Sequence, residues 1–197
     1  MKFLDKKFTQ ETLKLALPVM LTQVGQVSVN LFDNIIVGKL LGAKALASVS
    51  LGNAIFFSIF IFGLGFSLAI PPLVSEAHSQ HNHDRINSVF RHGFVVNLTV
   101  GIILVGLIFG FIPFLPHLGQ PKEILPDTVT FLSIVTLSII PFMMFQTMRE
   151  VSEGLSYTIG VTKATIFANV INIILNYIFI KTFSWGVAGS AWATFIA

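Results

Sequence analysis

The chain is built from apolar runs, each about as long as a membrane is thick. They cover residues 13–37, 45–77, 89–112, 128–148 and 162–180, and a sixth begins at 186. A helix needs about 20 residues to cross the hydrocarbon core of a bilayer, and a barrel strand only about 9–11. Inside lipid every backbone N–H and C=O must be satisfied within the protein, which leaves helices and closed barrels. Runs of this length therefore predict an all-α membrane protein, a polytopic helical bundle with five complete spans and the start of a sixth. The last run, 185–197, is shorter than a spanning helix requires, so the sequence reads as truncated, with more protein expected in the natural product.

Charge is sparse and unevenly placed. Asp, Glu, Lys and Arg make up 11% of the residues, against about 25% in a soluble domain. No dense Lys/Arg cluster suggests a nucleic-acid partner. There is no cysteine, so no disulfide framework or thiolate metal site is available. The first twelve residues are charged and lack a cleavage signature, so the segment should stay in the mature protein. Placing the N-terminus in the cytoplasm puts Lys2, Lys6, Lys7, Lys14, Arg85, Arg91, Arg149 and Lys163 inside, with Lys39, Lys44, Lys122 and Lys181 outside. That distribution obeys the positive-inside rule and predicts a multi-pass cell (inner) membrane protein.

Polar residues within the spans lie in register. Gln23, Gln26, Asn30 and Asp33 are spaced three, four and three apart, which places them on one helical face. Asp33 is a carboxylate well inside a span with no cation near it in sequence. Such a group costs roughly 2.5–3.5 kcal/mol at the centre of a spanning helix, so it is expected to carry a function. A bound proton or Na⁺ would neutralise it, amide and backbone oxygens completing the shell for Na⁺. The fifth run repeats the pattern with Asn169, Asn172 and Asn176. Asp33 lies six residues before Lys39 and Asn176 five before Lys181, on spans running the same way, so the two are expected at one depth. The bland alternative for the amides is interhelical hydrogen bonding alone.

Pro18 in the first span and Pro141 in the fourth predict helix bends. Pro71 and Pro72 should bend the second, and the prolines at 113, 116, 121 and 126 interrupt any regular helix. Residues 78–87 and 150–163 read as solvated, charged loops. The Phe cluster around residues 56–66 and the Phe/Met cluster at 142–148 suit lipid, core or adaptable apolar ligands. His78, His81 and His83 with Glu76 lack the spacing of a metal site, so no metal is expected. No catalytic triad, HExxH, P-loop or glycine-rich nucleotide motif is present, so neither an enzyme nor a cofactor is expected.

The segment LALPVMLTQVGQVSVNLFDNIIVGKLLGAKALASVSLGN resembles the opening signature of the multidrug and toxic compound extrusion (MATE) family, with its proline, intramembrane Asp and glycine-bearing exit. MREVSEGLSYTIGVTKATIFANVINIILNYIFI resembles the exit of that family's fourth span and its fifth, and WGVAGSAWATFIA the start of its sixth. The resemblance implies a twelve-helix antiporter of two six-helix lobes, of which residues 1–197 hold most of the N-terminal lobe and lack the C-terminal one. It implies export of drugs or toxic organic, mainly cationic, small molecules in exchange for Na⁺ or H⁺. Asp33 matches the cation-site acid, and Asn172 and Asn176 match its fifth-span partners. Some members carry Asp where this chain has Asn176, so proton sharing between two carboxylates is unavailable here. Two other readings are a flippase for lipid-linked oligosaccharides, which should line its cavity with Arg or Lys, and a non-transporting membrane assembly subunit, in which the stripes would make only helix contacts.

Overall fold

A computed structural model describes residues 6–197, except for the side chains at positions 6–12, 14, 15, 18, 19, 21–23 and 26. The described residues form eight α-helices and no strand. α1 (Lys6–Leu41) is 36 residues long, about 54 Å at 1.5 Å per residue. A single residue, Gly42 at φ +88°, turns the chain into α2 (Ala43–Ser67). That left-handed conformation is open to glycine without a Cβ penalty. α2 breaks at Leu68–Ala69 and resumes as α3 (Ile70–Ser79), with Pro71 and Pro72 in its first turn, where a missing N–H costs nothing. α4 (His83–Phe111) ends in a 3₁₀ stretch, Ile112–Leu118, carrying Pro113 and Pro116. α5 (Leu125–Leu137) and α6 (Ile139–Gly154) form one span bent by 42°. α7 (Thr158–Tyr177) runs into a π-helical turn, Ile178–Thr182, and α8 (Gly186–Ile196) closes the described chain.

Three of these units are long and apolar enough to cross a membrane: 43–79, 83–118 and 158–182. The bent pair 125–154 makes a fourth. The bend lies at Ser138, three residues before Pro141. Proline lacks an N–H and its ring displaces the carbonyl four residues back, so the helix yields on the N-terminal side of the ring.

Two stretches read as loops are largely helical. α3 runs to Ser79 and α4 starts at His83, leaving only Gln80–Asn82 between them. The Asn82 side chain accepts a 2.9 Å hydrogen bond from the Arg85 N–H and so starts α4 early. Arg85 also donates to both carboxylate oxygens of Glu76, at 3.2 and 3.1 Å, tying the ends of α3 and α4 together. The pair is exposed, and Glu76→Gln should lower stability by no more than about 1 kcal/mol, read as the thermal unfolding midpoint in detergent. Residues 150–163 are helical up to Gly154 and again from Thr158. Arg149 and Glu150 are buried there, Arg149 paired with Glu153 at 2.9 Å and Glu150 accepting from the Gln146 amide at 2.6 Å.

The core joins α2, α4, α5 and α8 through Val49, Phe56, Phe60, Leu104, Ile108, Phe131, Leu132 and Ala191. Glycines set the closest approaches. A Cβ on Gly52 would lie 2.6 Å from the Phe131 ring, and one on Gly63 would lie 2.6 Å from Leu104. α1 packs chiefly along α7, which in turn packs on α8. The outward faces are apolar, as a lipid-facing surface requires: Leu13, Leu17, Met20, Val24, Val27 and Leu31 form an exposed stripe on α1.

Candidate functional site

The α1–α7 contact brings together the acid and the amides. Asp33 is half-buried, and its Oδ1 accepts a 2.6 Å hydrogen bond from Nδ2 of Asn176, which is fully buried. A charged acceptor makes this among the stronger kinds of protein hydrogen bond. The same Nδ2 lies 3.4 Å from Ser190 Oγ on α8. One turn earlier on α7, Asn172 is buried, and its Nδ2 makes a long 3.5 Å contact with Thr194 Oγ1. Thr194 in turn donates to the Ser190 carbonyl at 3.1 Å. Three helices thus converge on one polar cluster.

The side-chain oxygens of Asn172 and Asn176 are the unusual feature. Both Oδ1 atoms are buried, and neither has a hydrogen-bond donor among the described residues. A buried acceptor left without a partner costs about 1–3 kcal/mol, and native structures rarely leave one without a reason such as a water or an ion. With the Asp33 carboxylate beside them, these oxygens make a hard, negatively charged donor set. Carboxylate and amide carbonyl oxygens suit hard cations rather than thiophilic ones. Among the described residues no cluster of three His, Cys, Asp or Glu could hold a metal ion instead. Chemically, the cluster offers hard oxygen donors that could hold a cation or a proton, with Asp33 as its carboxyl group.

The remaining polar positions are distributed differently. Asn169 is half-buried, and its Nδ2 lies 3.0 Å from where a Cβ on Gly25 would stand, so glycine lets α7 approach α1 there. Asn30 is exposed. The side chains of Pro18, Gln23 and Gln26 lie outside the described residues. Pro141 sits in the first turn of α6, just past the bend.

Sequence reasoning missed several participants. Ser190 and Thr194 supply the α8 side of the cluster, one helical turn apart. Their hydroxyls satisfy backbone carbonyls so readily in membrane helices that they do not stand out. The α7 stripe is also longer than three amides. Thr158, Thr162 and Thr165 are buried and continue the four–three spacing toward the N-terminal end of α7, and Thr165 Oγ1 has no partner among the described residues. The same periodicity identifies them once threonine is counted as polar. Asn34, beside Asp33 in sequence, is a further residue whose buried Oδ1 has no donor among the described residues.

The C-terminal end of α7 runs into the π-helical turn, where α8 packs closely. Gly189 of α8 lies so close to the Phe179 backbone that a Cβ there would meet the Phe179 carbonyl carbon at 3.1 Å. Phe179, Phe183 and Trp185 cluster beside it, with ring centroids 5.0–6.0 Å apart. Aromatic clusters of this kind anchor helices at a membrane interface.

Comparison with known proteins agrees with this architecture. Residues 18–178 match the MatE family model. The multidrug resistance protein NorM of Photobacterium profundum is 27% identical over 175 residues, covering 89% of this chain and 38% of that protein. The probable multidrug resistance protein NorM of Acinetobacter baylyi is 31% identical over 184 residues, covering 91% of this chain and 40% of that protein. The chain thus spans about two-fifths of the length of these relatives. Among solved structures, a crystal structure of MATE in the straight conformation superposes with a TM-score of 0.90 at 18% identity, over 98% of this chain and 44% of that one. A family match running from the first helix through the seventh, on helices arranged as in MATE structures, makes this chain a member of the MatE family with the all-α MATE membrane fold.

Proposed function

We propose that the chain forms the N-terminal lobe of a cation-coupled antiporter that exports drugs or other toxic organic compounds across the cytoplasmic membrane, its N-terminus in the cytoplasm and its spans in contact with lipid. In this reading a C-terminal lobe completes the transporter, and the substrates are small, mainly cationic organic molecules.

Asp33, Asn172 and Asn176 hold the coupling ion, with Ser190 and Thr194 behind them. The observation that carries the reading is the Asn176–Asp33 hydrogen bond between α7 and α1, next to two buried amide oxygens that have no donor among the described residues. A proton on Asp33 satisfies one acceptor at most, whereas a Na⁺ ion accepts electron density from several oxygens at once. The donor set therefore favours Na⁺ over H⁺. Gln23, Gln26 and Asn30 continue the polar face of α1 along which ion or substrate would pass, and Asn169 holds α7 against Gly25.

The mechanism needs one bistable element. With Asp33 charged and the ion absent, α1 holds one arrangement relative to α7. Ion binding cancels the charge, the Asn176 bond to the carboxylate weakens, and α1 shifts, with a bend at Pro18 as the natural place. A ligand moves such an equilibrium only by its differential affinity for the two states. The cavity that binds drug must therefore differ between them.

The test is efflux of an organic cation from vesicles containing the full-length transporter, driven separately by Na⁺ and by pH gradients. The expected result is efflux under an inward Na⁺ gradient with no pH gradient. Efflux that ignores both gradients would end the antiport reading.

A further inference from the structure

We infer that Glu150 and Gln146, at the end of α6 that packs against α3, form a second proton-binding site, separate from Asp33. The last turns of α6 carry three charged side chains, Arg149, Glu150 and Glu153. Arg149 and Glu150 are buried and Glu153 is half-buried. The one cation is taken, since Arg149 Nε donates to Glu153 Oε1 at 2.9 Å. No Lys, Arg or His among the described residues stands within ion-pair distance of Glu150. Its partner is neutral: Nε2 of Gln146, one turn back on α6, donates to Glu150 Oε1 at 2.6 Å. Glu150, 3% exposed, thus brings a buried negative charge with no cation of its own. A buried charge is costly unless it is paired.

Gln146 shows what is missing. It is 5% exposed, and its Oε1 is buried with no donor among the described residues. Its own N–H holds the amide against the carboxylate, so the orphaned oxygen belongs to the very group that Glu150 touches. A primary amide and a neutral carboxyl group pair reciprocally, amide N–H to carboxyl C=O and carboxyl O–H to amide C=O. The first of these bonds is present. One hydrogen on Glu150 Oε2 supplies the second, and the same hydrogen cancels the unpaired charge. Both side chains are enclosed by the lobe itself, so the occupant must be small. A metal ion would need several further oxygens, and among the described residues no three His, Cys, Asp or Glu are grouped to hold one.

The surrounding ionisable groups are paired, exposed or distant. The charges that bear on Glu150 are those of Arg149 and Glu153, on its own helix. On α3 and α4, Glu76 and Arg85 neutralise each other, and His78, His83, Asp84, Arg91 and His92 are exposed. Lys163 of α7 is exposed, while Lys44 of α2 and Asp127 of α5 stand at the far ends of their helices. Asp33 is distant too. Gly154, one turn after Glu150, packs on Pro71 and Val74 of α3. Asp33 stands about two turns before Gly42, at the opposite end of the 43–79 unit. Only the side from which the proton arrives, the cytoplasm, rests on the reading above.

The experiment is infrared difference spectroscopy of the full-length transporter in nanodiscs, recorded between alkaline and mildly acidic buffer with K⁺ as the only metal cation. Every sample carries Asp33→Asn, so the coupling acid is silent. Acidification should produce a carboxyl C=O band that vanishes in Glu150→Gln. In Gln146→Leu the band should move to higher frequency, because its C=O has lost the N–H donor. A residue with only a structural role would leave the spectrum unmoved. Carbon-13 labelling of glutamate, which leaves the fold untouched, should shift the same band, so the assignment does not hang on one variant. The proposal is overturned by an acid-induced spectrum that Glu150→Gln and Gln146→Leu leave unchanged. A band that Na⁺ suppresses when it replaces K⁺ also overturns it, marking a metal-ion site instead. With Asp33 silent throughout, either result is separate from failure of the Asp33 coupling site.

Discussion

Asp33→Asn in the full-length transporter should lower ion-driven efflux by on the order of 100-fold, the upper range of a typical coupling free energy. The substitution keeps size and shape and preserves an oxygen that can accept from Asn176. It removes only the charge. If ion binding works by cancelling that charge, the variant is fixed in the ion-bound arrangement whatever the gradient. Its folding should not suffer, because a carboxylate in this setting is a cost to stability rather than a support. Membrane abundance and thermal midpoint should therefore match the wild type while transport collapses. Wild-type efflux with wild-type dependence on the ion gradient would remove Asp33 from the mechanism.

The largest stability effect is expected at Gly154, far from the cation cluster. α6 ends there against α3, and a Cβ would lie 2.7 Å from Val74 Cβ and 2.9 Å from the Pro71 carbonyl oxygen. The second contact is with backbone held by two successive prolines, so little can move aside. Gly154→Val should destabilise by about 2–3 kcal/mol through overpacking. Gly106, inside α4, offers the control, because nothing lies within 4 Å of a Cβ built on it. Gly106→Ala should be neutral or stabilise by roughly 0.5–1 kcal/mol, since alanine loses less backbone freedom in a helix. Equal thermal midpoints for the two variants in detergent would show that the α3–α6 contact does not limit stability.

Periodicity made much of the site legible. The three–four spacing in α7 identified Asn169, Asn172 and Asn176, and counting residues back from Lys39 and Lys181 placed Asp33 and Asn176 at one depth. The 2.6 Å hydrogen bond between them is what that count predicts. Helix ends were less legible. Charged residues such as Arg85 and Glu150 read as loop. Pairing within a turn or across a tight connection lets them stay helical instead.

The sequence by itself determined that the chain is a helical membrane bundle, because long apolar runs leave the backbone no other way to satisfy its hydrogen bonds in lipid. It also determined which face of each helix is polar, since that follows from spacing alone. Only the tertiary structure decided that α8 joins α1 and α7, bringing Ser190 and Thr194 to the amides, and that the α5–α6 bend falls at Ser138. Contacts between helices depend on where glycines allow close approach and on how neighbouring surfaces interlock. Those are properties of pairs of helices, which no single run of residues records.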